Sequence, residues 1–220
     1  MIYDCDAAIF DMDGTLLDTM PYWRLTFIEY ILAHQLPVLD DLVAVMFRTS
    51  SRRLIMDNAE RLGIHPDFDE MVHELEGFMN RHYLYDANLK EAVVPTFLDS
   101  LKARGIRLCV ATGSPRQYAR NGLGRLGLLE RLEFVTDNYE GPYTKDRPEY
   151  FLWVADRLGV APERCWVYED ALYAMQAAKA AGMRVCAIED STQSADREAI
   201  RALADRYILS YRELMAGGVA

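Results

Sequence analysis

The sequence predicts an α/β fold in which a parallel β-sheet is covered by helices on both faces. Short apolar segments alternate with helical segments along most of the chain. The apolar segments do not alternate polar with apolar residues, and such continuous runs are typical of parallel strands buried on both sides. The chain has 220 residues, 51% of them hydrophobic, which is enough to bury a core of this kind.

The first strand is predicted at 7–10, and a long helical stretch follows it. This stretch carries three stripes of apolar residues at helical spacing. The stripes are Trp23, Phe27, Ile28, Ile31 and Leu32; then Leu54, Ile55, Ala59 and Leu62; then Phe68, Met71, Val72, Leu75, Phe78 and Met79. We therefore predict a core domain formed by 1–15 and 94–220, interrupted by a helical domain at 16–93.

After Pro95, helices and strands alternate, and five further strands are predicted. They lie at 106–111, 134–135, 165–168, 184–188 and 207–209. A helical segment precedes each of them, as expected for parallel strands with crossover connections. In an open parallel sheet, ligands bind outside the carboxyl ends of the strands. The residues at each strand exit are therefore the candidates for function.

Composition argues against several classes of partner. The formal net charge is −10, which disfavours binding to nucleic acid or to anionic membranes because no long basic run offsets it. No apolar run approaches the ~20 residues that span a bilayer, and the N-terminus predicts no signal peptide. The four cysteines lack metal-site spacing and predict buried thiols in a reducing cytoplasm.

Polar residues follow four of the predicted strands. They are Asp11 and Asp13 after the first strand, Thr112, Gly113 and Ser114 after the second, Lys145 in the loop after the third, and Glu169 and Asp170 after the fourth. Each feature alone has an ordinary structural explanation, such as a turn, a helix start or a solvated side chain. Their occurrence together at strand exits predicts one shared site.

The chemistry of these groups indicates a phosphoryl site. Four carboxylates at one edge would repel one another, and Mg²⁺ suits a site with carboxylates and a phosphate. Lys145 adds a positive charge, while the Thr112 hydroxyl and the Gly113 and Ser114 N–H groups at a helix start favour an anion. A carboxylate can then act as nucleophile, and a second one, such as Asp13, can transfer protons.

The segments "FDMDGTLLDT", "VATGS" and "VYEDALYAMQAAKAAGM", together with Lys145, resemble the four motifs of the haloacid dehalogenase superfamily. The helical insert resembles the α-helical cap of the subfamily IA enzymes, which include phosphoglycolate and sugar-phosphate phosphatases and β-phosphoglucomutase. One segment departs from the pattern, because relatives often read K-P-x-P where this chain reads "KDRP" from Lys145 to Pro148. The resemblance implies a Rossmann-like sheet with strand order 5-4-1-2-3.

The resemblance also implies a catalytic role for several residues. Asp11 is expected to be the nucleophile, and Asp13 the general acid and base. Thr112 and the backbone of Gly113 are expected to hold the transferring phosphoryl group, and Lys145 to steady the nucleophile.

For the metal, the resemblance implies a Mg²⁺ site. Asp11 and Asp170 are its expected carboxylate ligands, and Asp13 is expected to offer its backbone carbonyl. Glu169 is expected to bind the ion or to orient a water bound to it.

The expected activity is Mg²⁺-dependent hydrolysis of a small phosphorylated metabolite, of sugar or polyol phosphate type, through an aspartyl phosphate. Dehalogenases lack an Asp at the position of Asp13. A phosphomutase is an alternative, although β-phosphoglucomutases are associated with a cap histidine near Trp23. Further alternatives are a phospho-accepting receiver switch and a relative that only binds. The cap is expected to set substrate specificity. Arg52 is expected either to contact the substrate or to be a solvated side chain. The sequence does not indicate the oligomeric state.

Overall fold

The computed structural model describes residues 4–216, and within that range the chain forms strands that match most of the predicted ones. The strands are β1 (Ala7–Phe10), β2 (Leu17–Asp18), β3 (Asn88–Leu89), β4 (Arg107–Ala111), β5 (Phe134–Thr136), β6 (Cys165–Glu169), β7 (Arg184–Ile188) and β8 (Arg206–Ile208). The bounds of the six predicted strands agree with these to within one residue. The pair β2 and β3 was not predicted, because two residues are too few to show a period.

Six of the strands form one sheet in the order β5-β4-β1-β6-β7-β8. All neighbouring strands in it are parallel. The predicted order 5-4-1-2-3 numbers only the strands of this sheet, so it corresponds to β7-β6-β1-β4-β5. The sheet therefore has the predicted order, with one more strand, β8, beside β7. The prediction of a Rossmann-like fold is therefore confirmed. The central strand β1 is completely buried, which explains its uninterrupted apolar sequence.

Helices connect the strands and form the insert. They are α1 (Met20–Ala33), α2 (Asp40–Val45), α3 (Ser51–Asp57), α4 (Ala59–Leu62), α5 (Phe68–Tyr85), α6 (Val94–Lys102), α7 (Arg116–Arg125), α8 (Pro148–Leu158), α9 (Leu172–Ala180), α10 (Arg197–Leu203) and α11 (Arg212–Ala216). The second predicted stripe is split between α3 and α4 at Asn58, and Gly63 ends α4 with a φ of 71°. None of the described helices is long and apolar enough to cross a membrane.

The chain divides into two compact units, Met1–Asp18 with Asn88–Ala220, and Thr19–Ala87. The second unit is shorter than the predicted insert 16–93. The difference arises because Leu17 and Asp18 pair with Leu89 and Asn88 in the antiparallel ribbon β2–β3. The chain segments just before and just after the helical unit therefore pair with each other and belong to the sheet unit.

Each unit has its own apolar core. In the helical unit, the core includes Phe27, Ile31, Leu54, Met71 and Leu75 from the predicted stripes. Two predicted members are instead exposed: Leu32 is 64% exposed and Phe68 is 47% exposed. Both lie at the edge of a stripe, where helical spacing alone does not separate a buried position from a boundary one. In the sheet unit all four cysteines are buried, as predicted.

Candidate active site

Asp11 lies directly after β1 at the centre of the sheet. Its backbone N–H donates to the Tyr168 carbonyl at 2.9 Å, which continues the pairing of β1 with β6 for one residue beyond the strand. The residue is only 6% exposed. A carboxylate is thus fixed at the carboxyl end of a buried strand, as the sequence predicted.

Glu169 and Asp170 lie beside Asp11, because β6 is the neighbour of β1. Both are almost completely buried. One oxygen from each of the three carboxylates lies within 4.8 Å of the others. Glu169 Oε1 also accepts hydrogen bonds from the backbone N–H groups of Asp170 and Ala171, at 3.1 and 3.0 Å, so its side chain is held in one orientation.

Lys145 joins two of these carboxylates. Its Nζ donates a short hydrogen bond to Asp11 Oδ1 and lies 2.7 Å from Glu169 Oε2. The side chain is 2% exposed, although it comes from a loop. That loop is held by Asn138, whose Oδ1 accepts the Lys145 backbone N–H at 2.9 Å. Lys145, which the sequence analysis selected, is therefore a buried positive charge beside Asp11 and Glu169.

The electrostatics of the cluster are unbalanced, because three buried carboxylates share one ammonium group. Burial and the charge of Glu169 raise the pKa of Asp11 to about 8, even though Lys145 lowers it. Burial, Glu169 and Asp11 raise the pKa of Asp170 well above its usual value. Burial lowers the pKa of Lys145, but Asp11 and Glu169 raise it more, so the lysine stays protonated.

The donor set fits a divalent cation. The raised carboxyl pKa values mean that the cluster takes up protons at neutral pH unless further positive charge is supplied. Carboxylate oxygens are the ligands that Mg²⁺ prefers in proteins, and the ion commonly uses only one or two of them alongside a phosphate. Asp11, Glu169 and Asp170 could therefore hold the ion.

The carboxylate of Asp13 points elsewhere. Its Oδ2 accepts a hydrogen bond from Ser114 Oγ at 2.7 Å, and it lies outside the cluster of three carboxylates. The link joins the exit of β1 to the exit of β4. The Asp13 carboxylate is thus not one of the three that could hold a metal together, and its role in proton transfer stays a prediction.

The turn after β4 differs in detail from the prediction. Thr112 is completely buried, and its Oγ1 accepts the backbone N–H of Ser114 at 3.0 Å. The Ser114 N–H was expected to face an anion, but here it closes the turn, as is common for Thr hydroxyls that bond to nearby backbone. Gly113 is exposed, and a side chain there would meet Asn138 Nδ2 at 3.7 Å.

Arg52 lies in the other unit. It is an exposed residue near the start of α3, and its guanidinium lies 5.9 Å from the centre of the Phe68 ring. The structure thus shows a contact of Arg52 within the helical unit. That Arg52 binds the substrate stays a prediction. That the helical unit is a cap that sets specificity also stays a prediction.

Comparison with known proteins identifies the family. A family model described as "haloacid dehalogenase-like hydrolase" matches residues 5–182. The chain belongs to this hydrolase family.

Several relatives of this haloacid dehalogenase-like hydrolase are named phosphatases. It is 30% identical to a phosphorylated carbohydrates phosphatase of Thermotoga maritima, over 81% of this chain and 82% of that protein. It is 32% identical to the fructose-1-phosphate phosphatase YqaB of Escherichia coli, over 80% of this chain and 93% of that protein.

A solved structure from Thermotoga maritima, provisionally described as a β-phosphoglucomutase, is also similar to the hydrolase. The two share 25% sequence identity and superpose with a TM-score of 0.78. The match covers 98% of this chain and all of the other.

Sequence reasoning missed polar residues that follow two strands of the hydrolase. Asp137 and Asn138 follow β5, and Asp137 accepts the backbone N–H groups of Arg116 and Tyr139 at 2.5 and 2.9 Å. Gln193, beyond β7, donates from Nε2 to Asp170 Oδ2 at 3.2 Å. The loop after β5 was selected for Lys145 alone, and the rule that ligands bind at strand exits would also have pointed to the exit of β7.

Proposed function

We propose that this chain is a Mg²⁺-dependent phosphatase that hydrolyses a small phosphorylated carbohydrate or polyol through an aspartyl phosphate on Asp11. The observation that carries the proposal is the buried contact of Lys145 with Asp11, next to Glu169 and Asp170. The two relatives named as carbohydrate-phosphate phosphatases support the substrate class.

The proposed reaction has two steps. In the first, an oxygen of Asp11 forms a bond to phosphorus while the bond from phosphorus to the ester oxygen breaks, and Asp13 gives its proton to the leaving oxygen. In the second, Asp13 takes a proton from water as that water attacks phosphorus, and the Asp11–phosphorus bond breaks to release inorganic phosphate. One carboxylate attacks while a second one nearby moves the proton.

The other residues prepare Asp11 for attack. Lys145 neutralises part of the negative charge and directs the Asp11 carboxylate through its hydrogen bond. Mg²⁺ held by Asp11, Asp170 and Glu169 would offset the charge of the phosphoryl oxygens. Thr112 and Gly113 lie at the neighbouring strand exit, where the turn before α7 is suited to hold those oxygens.

A phosphomutase is the second candidate, favoured by the structural similarity to the protein described as a β-phosphoglucomutase. The two functions differ in what accepts the phosphoryl group from Asp11: water in a phosphatase, a sugar hydroxyl in a mutase. Membership of a hydrolase family favours continuous turnover over a receiver-type switch, which would retain its aspartyl phosphate.

Removal of Mg²⁺ is expected to abolish phosphate release. We expect the wild-type protein to release phosphate from one or more sugar or polyol phosphates when Mg²⁺ is present, and to lose that activity in chelator because the repulsion within the cluster is then uncompensated. The measurement is phosphate release across a panel of phosphorylated metabolites. Glucose 6-phosphate formed from β-glucose 1-phosphate without phosphate release would favour the mutase, and full activity in chelator would refute the metal role.

Replacement of Asp13 by asparagine is expected to let the covalent intermediate accumulate. Asparagine retains the size of the side chain and can still bond to Ser114, but it can neither give a proton to the leaving oxygen nor take one from the attacking water. With an aryl phosphate, whose leaving group needs no proton, only the second step is impaired, and mass spectrometry of Asp13→Asn should show an added phosphoryl mass. A protein that turns over normally, with no such mass, would remove Asp13 from the proposed mechanism.

A further inference from the structure

The strand β7 leads to a short polar segment that reaches the candidate metal site. After Ile188 the chain continues through Glu189 and Asp190 into one turn of 3₁₀-helix, Ser191–Gln193. Gln193 ends this turn, and its Nε2 donates to Asp170 Oδ2 at 3.2 Å. The contact crosses from the exit of β7 to the exit of β6, its neighbour in the sheet.

Asp190 holds this turn in place. The residue is 5% exposed, and its Oδ1 accepts hydrogen bonds from the Thr192 backbone N–H at 2.8 Å and from Thr192 Oγ1 at 2.5 Å. A carboxylate that bonds to the N–H two residues later fixes the start of a turn. Gln193 therefore extends from a turn that is held by two hydrogen bonds.

Lys90 supplies the charge that Asp190 needs. Its Nζ donates to Asp190 Oδ2 at 2.6 Å, and the two side chains are 16% and 4% exposed. Lys90 follows β3, and its own backbone N–H donates to the Leu16 carbonyl at 2.8 Å. Because its oxygens are occupied by Thr192 and Lys90, Asp190 is not one of the three clustered carboxylates, although its charge acts on Asp170.

A glutamine suits the contact with Asp170 better than a charged residue would. Its amide donates a hydrogen bond without adding positive charge, so it does not compete with a cation for the carboxylate. A bond to Oδ2 limits rotation of the carboxylate and thus fixes the direction of Oδ1. Hydrogen bonds of this kind to metal-binding side chains orient the ligand and strengthen metal binding.

We infer that Gln193 is a positioning residue, held by Asp190 and Lys90, that orients the Asp170 carboxylate for metal binding. The inference rests on the proposed function, in which Asp170 binds Mg²⁺. It adds a residue from a fifth strand exit, which none of the four motifs contains.

The test is Mg²⁺ binding measured by calorimetry on the full chain without substrate. We expect Gln193→Leu, which lacks the donor, and Gln193→Asn, which is shorter by one methylene, each to weaken Mg²⁺ binding by about tenfold or more, since loss of such a supporting bond typically costs 10–100-fold in metal affinity. Gln176→Leu, the same change at an exposed position of α9, should bind like the wild type.

A kinetic comparison separates positioning from simple loss of structure. In Gln193→Leu, the Mg²⁺ concentration for half-maximal phosphate release should rise by about the same factor as the dissociation constant, while the rate at saturating Mg²⁺ recovers most of the wild-type value. Asp190→Asn should weaken Mg²⁺ binding both by loosening the turn and by removing a charge that acts on Asp170 directly, so its effect should shrink, without vanishing, in the Gln193→Leu background.

The outcomes distinguish this inference from the proposed function. Wild-type protein that binds Mg²⁺, together with a Gln193→Leu protein of unchanged circular dichroism that binds it within twofold, overturns the role of Gln193 and leaves the phosphatase proposal intact. Equal weakening in Gln176→Leu would also overturn it. A wild-type chain that does not bind Mg²⁺ overturns both.

Discussion

Replacing Asp11 by asparagine is expected to reduce phosphate release at saturating substrate and Mg²⁺ by at least about a thousandfold, the scale of loss seen when a covalent nucleophile is removed. The amide of asparagine is a poor nucleophile and cannot form the aspartyl phosphate. It is also neutral, so one of the three carboxylates that could hold Mg²⁺ is lost from the cluster.

The same substitution is expected to stabilise the metal-free protein at pH 8. Burial and Glu169 raise the pKa of Asp11 to about 8, which means that the ionised side chain is less favourable in the folded state than in the unfolded chain. Asparagine removes that charge and leaves Glu169 to pair with Lys145. Thermal unfolding without Mg²⁺ should therefore occur at a higher temperature in Asp11→Asn than in the wild type, while the increase produced by Mg²⁺ should be smaller.

Asp156→Asn is the matched control for both measurements. Asp156 is an exposed residue of α8, and its substitution should change neither phosphate release nor the response to Mg²⁺. If Asp11→Asn retained a tenth or more of the wild-type activity, the proposed nucleophile would be wrong, whatever its effect on thermal stability.

The sequence predicted the sheet well because its strands are buried on both sides. In β1 every residue is completely buried, so the apolar run is continuous and stands out against the helices around it. The ribbon β2–β3 was missed, since each of its strands has two residues and is recognised only by its pairing. The split of α3 from α4 at Asn58 was missed because both helices share one apolar stripe.

The sequence also indicated which polar residues come together, but not how each is oriented. Strand exits at one sheet edge are close in space whatever the side chains do, so the grouping of Asp11, Glu169 and Asp170 follows from topology alone. The hydrogen bond from Ser114 to Asp13 depends on rotamers, and the contact of Gln193 with Asp170 depends on a turn of three residues. Neither leaves a periodic signal in the sequence.

Replacing Lys145 by methionine is expected to lower the free energy of unfolding of the metal-free protein at pH 9, where Asp11 is ionised in the wild type, by about 3–5 kcal/mol, the usual cost of removing one partner from a buried ion pair. Methionine has a side chain of similar length without the charge, so the change chiefly removes the ammonium group. Asp11 and Glu169 then lie close together with no described cation between them. Phosphate release should also fall, because Asp11 loses the donor that orients it.

The pH dependence of this loss separates charge from packing. The pKa of Asp11 is raised to about 8 with Lys145 present, and Lys145 lowers it, so it rises further in the variant. Asp11 is then protonated at pH 5 in both proteins, so it needs no counter-ion there, and the difference between them grows as the pH rises through 8, where the wild type ionises Asp11 beside Lys145 and the variant does not. Denaturant unfolding should accordingly show a smaller difference from wild type at pH 5 than at pH 9. Lys179→Met, which removes a half-exposed partner of Asp205, should cost at most about 1 kcal/mol, the usual upper value for such pairs. A Lys145→Met deficit equally large at pH 5 would mean that the side chain acts by filling space rather than by its charge.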